Sequence, residues 1–222
     1  MKVIRAFRTA VVAAAVGGAA LGLAANADAE FFGDPAGAAD FWVLQSGDDC
    51  ALMATADVIG ELTGHQPSEA EIIDAAMHTP SRIRDGQPIY LPPPDPNDPD
   101  SGQGTNIFDL PVLLEHYGVH ATATNEDDVP AGQTNLDVLE KALDGGHRII
   151  VSVNAETIWN QDGDRTHGDH AVVVTGLDTD DGVVMLNDSG TEDGADEVVP
   201  MDVFESAWAA GYHAVVVTTE AA

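Results

Sequence analysis

A single cysteine, Cys50, stands in a chain of 222 residues that also holds eight histidines. A thiol becomes a usable nucleophile near neutral pH when a cationic base stands beside it, and that base is usually histidine. His170 is the strongest candidate. It follows a Gly-rich polar stretch, QDGDRTHGD, and directly precedes the apolar run AVVVTGL, so it opens a strand. Asp188 closes the next apolar run, VVMLND. An imidazole between a thiol and a carboxylate is equipped for acyl transfer. The thiol attacks a carbonyl, the imidazole moves the proton, and the carboxylate orients the ring and favours its cation. Gln45 lies five residues before Cys50. Its amide, with the Cys50 backbone N–H, could receive the negative oxygen that forms during attack.

The other histidines fit less well. His65, His78, His116 and His120 fall in or just after helices and read as surface or cap residues. His147 follows Gly145-Gly146 in a turn. His167 shares the polar stretch before His170. His213 begins a strand with no carboxylate-bearing strand after it. His170 and Asp188 can be tested on paper, because side chains alternate across a strand. An odd number of residues in the connecting turn puts both on one sheet face; an even number puts them on opposite faces. Asp180-Asp181-Gly182 as a three-residue turn, with Gly in the left-handed position, makes them same-faced.

These residues need elements to hold them. Cys50 to Leu62 has helical spacing, with Asp48 or Asp49 as N-cap and Gly64 as stop. The sulfur then sits at the positive end of the helix, where a thiolate is favoured. Ser68 to Met77 is a second helix, with Ser68 and Glu71 in capping-box spacing. Asn106 to Tyr117 and Asn135 to Leu143 are further helices. Residues 91–105, LPPPDPNDPDSGQGT, are an exposed loop, since the prolines forbid regular structure. Arg148 to Val153, Ala171 to Leu177, Val183 to Asn187 and Ala214 to Thr218 read as strands, with a short helix from Asp202 to Ala209. Helices mostly first and strands mostly last give an α+β arrangement.

Composition narrows the role. Eight basic against 38 acidic residues leave a formal charge of −30, which is wrong for neutralising nucleic-acid phosphates or anionic lipid headgroups. A lone cysteine allows no intrachain disulfide and no Cys-rich zinc or iron–sulfur site. Asp162-Gly163-Asp164 and Asp178 to Gly182 carry pieces of a calcium-loop pattern, but neither has Glu at the twelfth position. No metal and no cofactor is expected. Residues 1–29 read as a secretory signal peptide. Lys2, Arg5 and Arg8 form its basic start and Ala10 to Ala25 its apolar run. Ala27-Asp28-Ala29 is its cleavage pattern, with Ala25-Asn26-Ala27 as a second choice. The remainder, 30–222, is expected to be one exported domain without stable membrane association. It is expected to be a monomer that acts on a peptide or protein and does not bind nucleic acid.

The stretches QSGDDCALMATADVIGELTG (45–64), GQGTNIFDLPVLLEHYGV (102–119), LEKALDGGHRIIVSVNAE (139–156), GDHAVVVTGLD (168–178), VVMLNDSG (183–190) and FESAWAAGYHAVVV (204–217) resemble, in order, the C39-like cysteine peptidase family of the papain-like superfamily. The resemblance implies a papain-like α+β fold, with the nucleophile helix packed on a C-terminal antiparallel sheet. It places the catalytic roles on Cys50, His170, Asp188 and Gln45. Two positions depart from the family pattern. Ala51 follows the cysteine where Gly is usual, and Ser189 follows Asp188 where Pro is common, which leaves Asn187 open as the orienting residue. Familiar relatives trim double-glycine leaders while fused to an export ATPase. This chain has no Walker motif, so the resemblance implies a stand-alone secreted thiol hydrolase. The competing readings are cell-wall amidase or transpeptidase chemistry, and an extracellular binding module of the same fold that has lost turnover.

Overall fold

The computed structural model describes residues 30–95, 98 and 101–221. The expected signal peptide, 1–29, lies outside the described residues. Seven strands form one antiparallel sheet: β1 (Phe31–Gly33), β2 (Ala121–Thr124), β3 (His147–Val153), β4 (His170–Asp178), β5 (Val183–Asn187), β6 (Glu197–Pro200) and β7 (Val215–Ala221). The main order is β2-β7-β3-β4-β5-β6, and β1 pairs with the far half of β4. The helices are α1 (Pro35–Ala38), α2 (Cys50–Thr63), α3 (Glu69–His78), α4 (Leu110–His116), α5 (Asn135–Asp144), α6 (Ala155–Ile158) and α7 (Met201–Ala210).

Both faces of the sheet are covered, which is why β4 is an almost unbroken apolar run with eight of its nine residues buried. One face packs Ile150, Val173 and Val216 against Leu52 and Ile59 of α2 and Leu113 of α4. The alternate residues Val151, Val172 and Val215 pack against Leu139 of α5 and Phe204 and Trp208 of α7. The period of two along these strands thus divides one sheet between two cores.

The helix signals act as the sequence predicts at several ends. Gly64 caps α2 in the left-handed conformation, φ 70°. Ser68 and Glu71 close a capping box on α3; a second box, Thr134 with Asp137 on α5, is found by the structure alone. The expected helix over Asn106–Tyr117 instead begins as a 3-10 turn, Ile107–Asp109, and becomes α-helical only from Leu110, with Pro111 in its first turn. Proline is tolerated there because its missing N–H has no intrahelical acceptor. His147 opens β3 rather than sitting in a turn. Strands β1, β2 and β6 are three or four residues long, too short for alternation to mark them.

The β4–β5 hairpin corrects the sequence reading. Asp178 pairs with Val183, so four residues, Thr179–Gly182, make the turn, and not three. Gly182 is left-handed as expected, φ 65°. An even turn alone would send His170 and Asp188 to opposite faces. A β-bulge restores the phase: Val174 pairs with Leu186 but Gly176 with Met185, which leaves Thr175 as one extra residue on β4. Strand β1 and the residue after it clamp this bulge. Asp34 N–H donates to the Thr175 carbonyl at 3.1 Å. Gly33, at φ 93°, approaches so closely that a Cβ would lie 2.2 Å from the same oxygen.

Candidate active site

Cys50 is the first residue of α2 and is half-buried. His170 opens β4, 5 % exposed, and Asp188 follows β5, fully buried. His170 Nε2 lies 2.7 Å from Asp188 Oδ1. With Nε2 engaged there, Nδ1 is the ring nitrogen left free of Asp188, and Cys50 lines the same cleft, near enough to act electrostatically on the ring. The structure therefore brings Cys50, His170 and Asp188 together.

Asp188 is held from several sides. Trp159, just after α6, donates its indole N–H to Oδ2 at 2.8 Å, and Gly190 donates its backbone N–H to Oδ1 at 2.7 Å. Trp42 donates its indole N–H to the Asp188 carbonyl at 2.7 Å. The Trp159 ring also lies against His170, centroids 5.0 Å apart. Burial alone would raise the Asp188 carboxyl. The hydrogen bond and positive charge of His170, with the Gly190 and Trp159 donors, outweigh it and hold the carboxyl below its ordinary value. Burial alone would likewise lower the His170 imidazole. The electrostatic interaction with Cys50 and the bond to Asp188 overcome that and carry it well above the usual histidine range.

Asn187, the alternative orienting residue, turns away. Its Nδ2 donates to the Ala38 carbonyl at 2.8 Å and to Asp57 Oδ2 at 2.9 Å, so it ties the sheet to α1 and α2.

Gln45 lines the same cleft as Cys50. Its Oε1 accepts from the Ser189 hydroxyl at 2.8 Å, and its Nε2 donates to the Gly47 carbonyl at 2.7 Å. An amide nitrogen has two hydrogens, and the Gly47 bond uses one of them.

The N-cap differs from expectation. Asp49 holds the cap position of α2, but its carboxylate makes no capping bond. It folds back to the Gly47 N–H at 3.3 Å instead. Burial, reinforced by neighbouring Glu69, pushes the Asp49 carboxyl up to about 7. The acid next in sequence to the sulfur thus carries little negative charge in acid solution, which weakens any opposition to a thiolate.

The cleft has a volume of about 830 Å³. Gln103 and Gly104, from the end of the Pro-rich loop, form part of one wall, held by an Arg84 guanidinium bond to the Gly104 carbonyl at 3.0 Å. Asp48, Asp49, Glu156 and Asp169 supply acidic lining, and neither Lys nor Arg contributes to it among the described residues. His167 stands at the rim, paired with Asp164 at 3.4 Å. His213 is remote and pairs with Glu126 at 2.9 Å.

Among the described residues, no three His, Cys, Asp or Glu side chains are grouped to hold a metal ion. The two acidic stretches bind their own backbone: Asp178 Oδ1 accepts the Asp180 and Asp181 N–H groups, and Asp164 Oδ1 accepts that of Thr166. No helix among the described residues is long and apolar enough to cross a membrane.

Four supporting residues escape the sequence reading: Trp42, Trp159, Gly190 and Ser189. Trp159 sits in the unassigned stretch after β3, and its only sequence signal is an aromatic residue bordering the polar loop before His170. Gly190 acts through its backbone. Ser189 is visible only as a departure from a pattern.

Comparison with known proteins bears on the fold and the family of the chain. The chain is 50% identical to uncharacterized proteins of Mycobacterium tuberculosis and Mycobacterium bovis, over 98% of this chain and 98% of each relative. A crystal structure from Bacillus anthracis, assigned to the C39-like peptidases, superposes with a TM-score of 0.56 at 18% identity, covering 86% of this chain and 98% of that one. It shares the mixed helix and antiparallel-sheet architecture of the papain-like α+β fold. Residues 48–216 match the Peptidase_C39 like family, a span that holds α2 and most of the sheet. The chain belongs to the Peptidase_C39 like family.

Proposed function

We propose that the protein is an exported cysteine hydrolase that cleaves peptide or amide bonds, with Cys50 as nucleophile. One observation carries this reading: buried His170 is fixed through Nε2 to Asp188 at 2.7 Å and shares the wall of one open cleft with Cys50. Family-level similarity to C39 peptidases supports it.

In the first half of the reaction, His170 takes the thiol proton and Cys50 Sγ attacks the carbonyl carbon. The C=O electron pair moves onto oxygen, which receives N–H groups of Gln45 and the Cys50 backbone. The intermediate collapses, the C–N bond breaks, and His170 gives its proton to the departing amine. Water then attacks the thioester, with His170 removing its proton; the C–S bond breaks, the acid leaves, and His170 returns the proton to Cys50 Sγ. Asp188 keeps the imidazole in plane and stabilises its cation through both halves.

The test is turnover of a fluorogenic peptide library by the purified protein without residues 1–29. Wild type should cleave, and Cys50→Ala and His170→Ala should not. An inactive wild type whose Cys50 also resists iodoacetamide until denatured would overturn the proposal. Export rests on the pattern in residues 1–29, and N-terminal sequencing of protein from culture medium should begin near Glu30.

A further inference from the structure

We propose that Ser189 is a positioning residue for the oxyanion site: its hydroxyl sets which end of the Gln45 amide faces the reacting carbonyl. This rests on the hydrolase reading above. The bonds around Gln45 fix the direction of the proton. The Gly47 carbonyl oxygen can only accept, so the Gln45 end 2.7 Å from it must be the N–H end. The opposite end is therefore Oε1, and at 2.8 Å the Ser189 hydroxyl must donate to it. A second bond fastens the same two residues, with the Gln45 backbone N–H donating to the Ser189 carbonyl at 2.9 Å. Ser189 is 6 % exposed, so water competes little for the hydroxyl. Without it, the amide keeps one anchor and can rotate Oε1 toward the cleft, where a carbonyl oxygen repels a developing oxyanion.

The arrangement also links the two halves of the site. Asp188 orients the imidazole and the next residue orients the oxyanion donor, so one dipeptide sets both.

Two reactions of Cys50 separate the halves. Alkylation by iodoacetamide is displacement at a saturated carbon and forms no oxyanion; acylation by p-nitrophenyl acetate forms one. Ser189→Ala should slow acylation roughly tenfold, below the ~10²–10³ cost of deleting an oxyanion donor outright. It should leave the rate and pH profile of alkylation unchanged. Ser189→Thr should restore acylation. In a Gln45→Ala background, Ser189→Ala should cost less than about twofold more. If Ser189→Ala does not fold, as judged by its thermal melt, Ser189→Gly also removes the hydroxyl and takes its place. Acylation within about twofold of wild type overturns the inference. So does an equal loss in both reactions, or a full additional loss in the Gln45→Ala background. A wild type that alkylates but never acylates overturns the hydrolase reading, and this role with it.

Discussion

Replacing Asp57 with asparagine should flatten the dependence of stability on pH by one proton. Asp57 lies in α2, 4 % exposed, with Oδ2 bonded to Asn187 and Oδ1 without a hydrogen-bond partner. Burial raises its carboxyl to about 8; the Asn187 bond opposes this and the charge of Glu61 adds to it. The unfolded chain ionises the same group near ~4. The folded value is the raised one, so stability from this group is full below the unfolded value and is lost as pH climbs toward the folded one. Within that window the folded protein holds one proton that the unfolded chain releases. The slope is then about 1.4 kcal/mol per pH unit, or roughly 3 kcal/mol between about pH 5 and 7.5. The asparagine side chain keeps the shape, accepts the Asn187 bond through its oxygen, and cannot ionise. Glu61 and Asp49, both raised to about 7, are present in both proteins and largely cancel in the difference. Urea unfolding of wild type and Asp57→Asn at half-unit steps of pH measures it. The variant should gain on wild type steadily with rising pH. Parallel curves, differing by a constant, would show that Asp57 ionises at its ordinary value and refute the argument.

Asp188→Asn should cut the alkylation rate of Cys50 at about pH 6 by roughly tenfold or more, since hydrogen bonds to charged groups contribute about 1.5–3 kcal/mol. One amide oxygen cannot serve the three N–H donors that the carboxylate accepts from His170, Trp159 and Gly190. Gly190→Ala should lower turnover while the fold survives, because a Cβ there would sit 2.6 Å from the Trp159 ring and 3.1 Å from His170 Cε1. A shift in tryptophan emission would report the displaced indole, and unchanged emission with full activity would contradict it. Peptides rich in Lys or Arg should be cleaved with a kcat/KM that falls as salt rises, given an acidic cleft in a chain of charge −30; a flat salt response would count against this.

Much of the site is legible because its parts announce themselves locally. Cys50 begins a helix whose stop is a glycine, His170 and Asp188 mark the ends of two Val-rich strands, and Gln45 lies in the adjoining turn. What escapes is long-range or carried by the backbone. Trp159 reaches Asp188 across 29 residues, and Trp42 across 146. No periodicity encodes such contacts. The behaviour of Asp49 departs from the cap pattern because its burial against Glu69 depends on α3, not on the local sequence. The hairpin reading reaches the right meeting of His170 and Asp188 by the wrong count: the turn is one residue longer than expected, and no local signal marks the bulge.

That bulge makes the site a matter of odd and even. The Thr179–Gly182 turn can absorb an extra residue as loop, because the ladder on its far side need not move. Between the bulge and Asp188 there is no such freedom. One residue added within β5 must either bulge out in turn or swing Asp188 to the other side of the sheet. Two added residues would leave it on the same side. Length changes along these strands are therefore tolerated in pairs, or singly when a bulge is gained or lost with them. The clamp on Thr175 is supplied by Gly33 and Asp34, at the very start of the described chain. Trimming a few residues past that point would release the counter that keeps the two strands in phase. The front end of the chain thus carries information about an acid–base pair more than a hundred residues away.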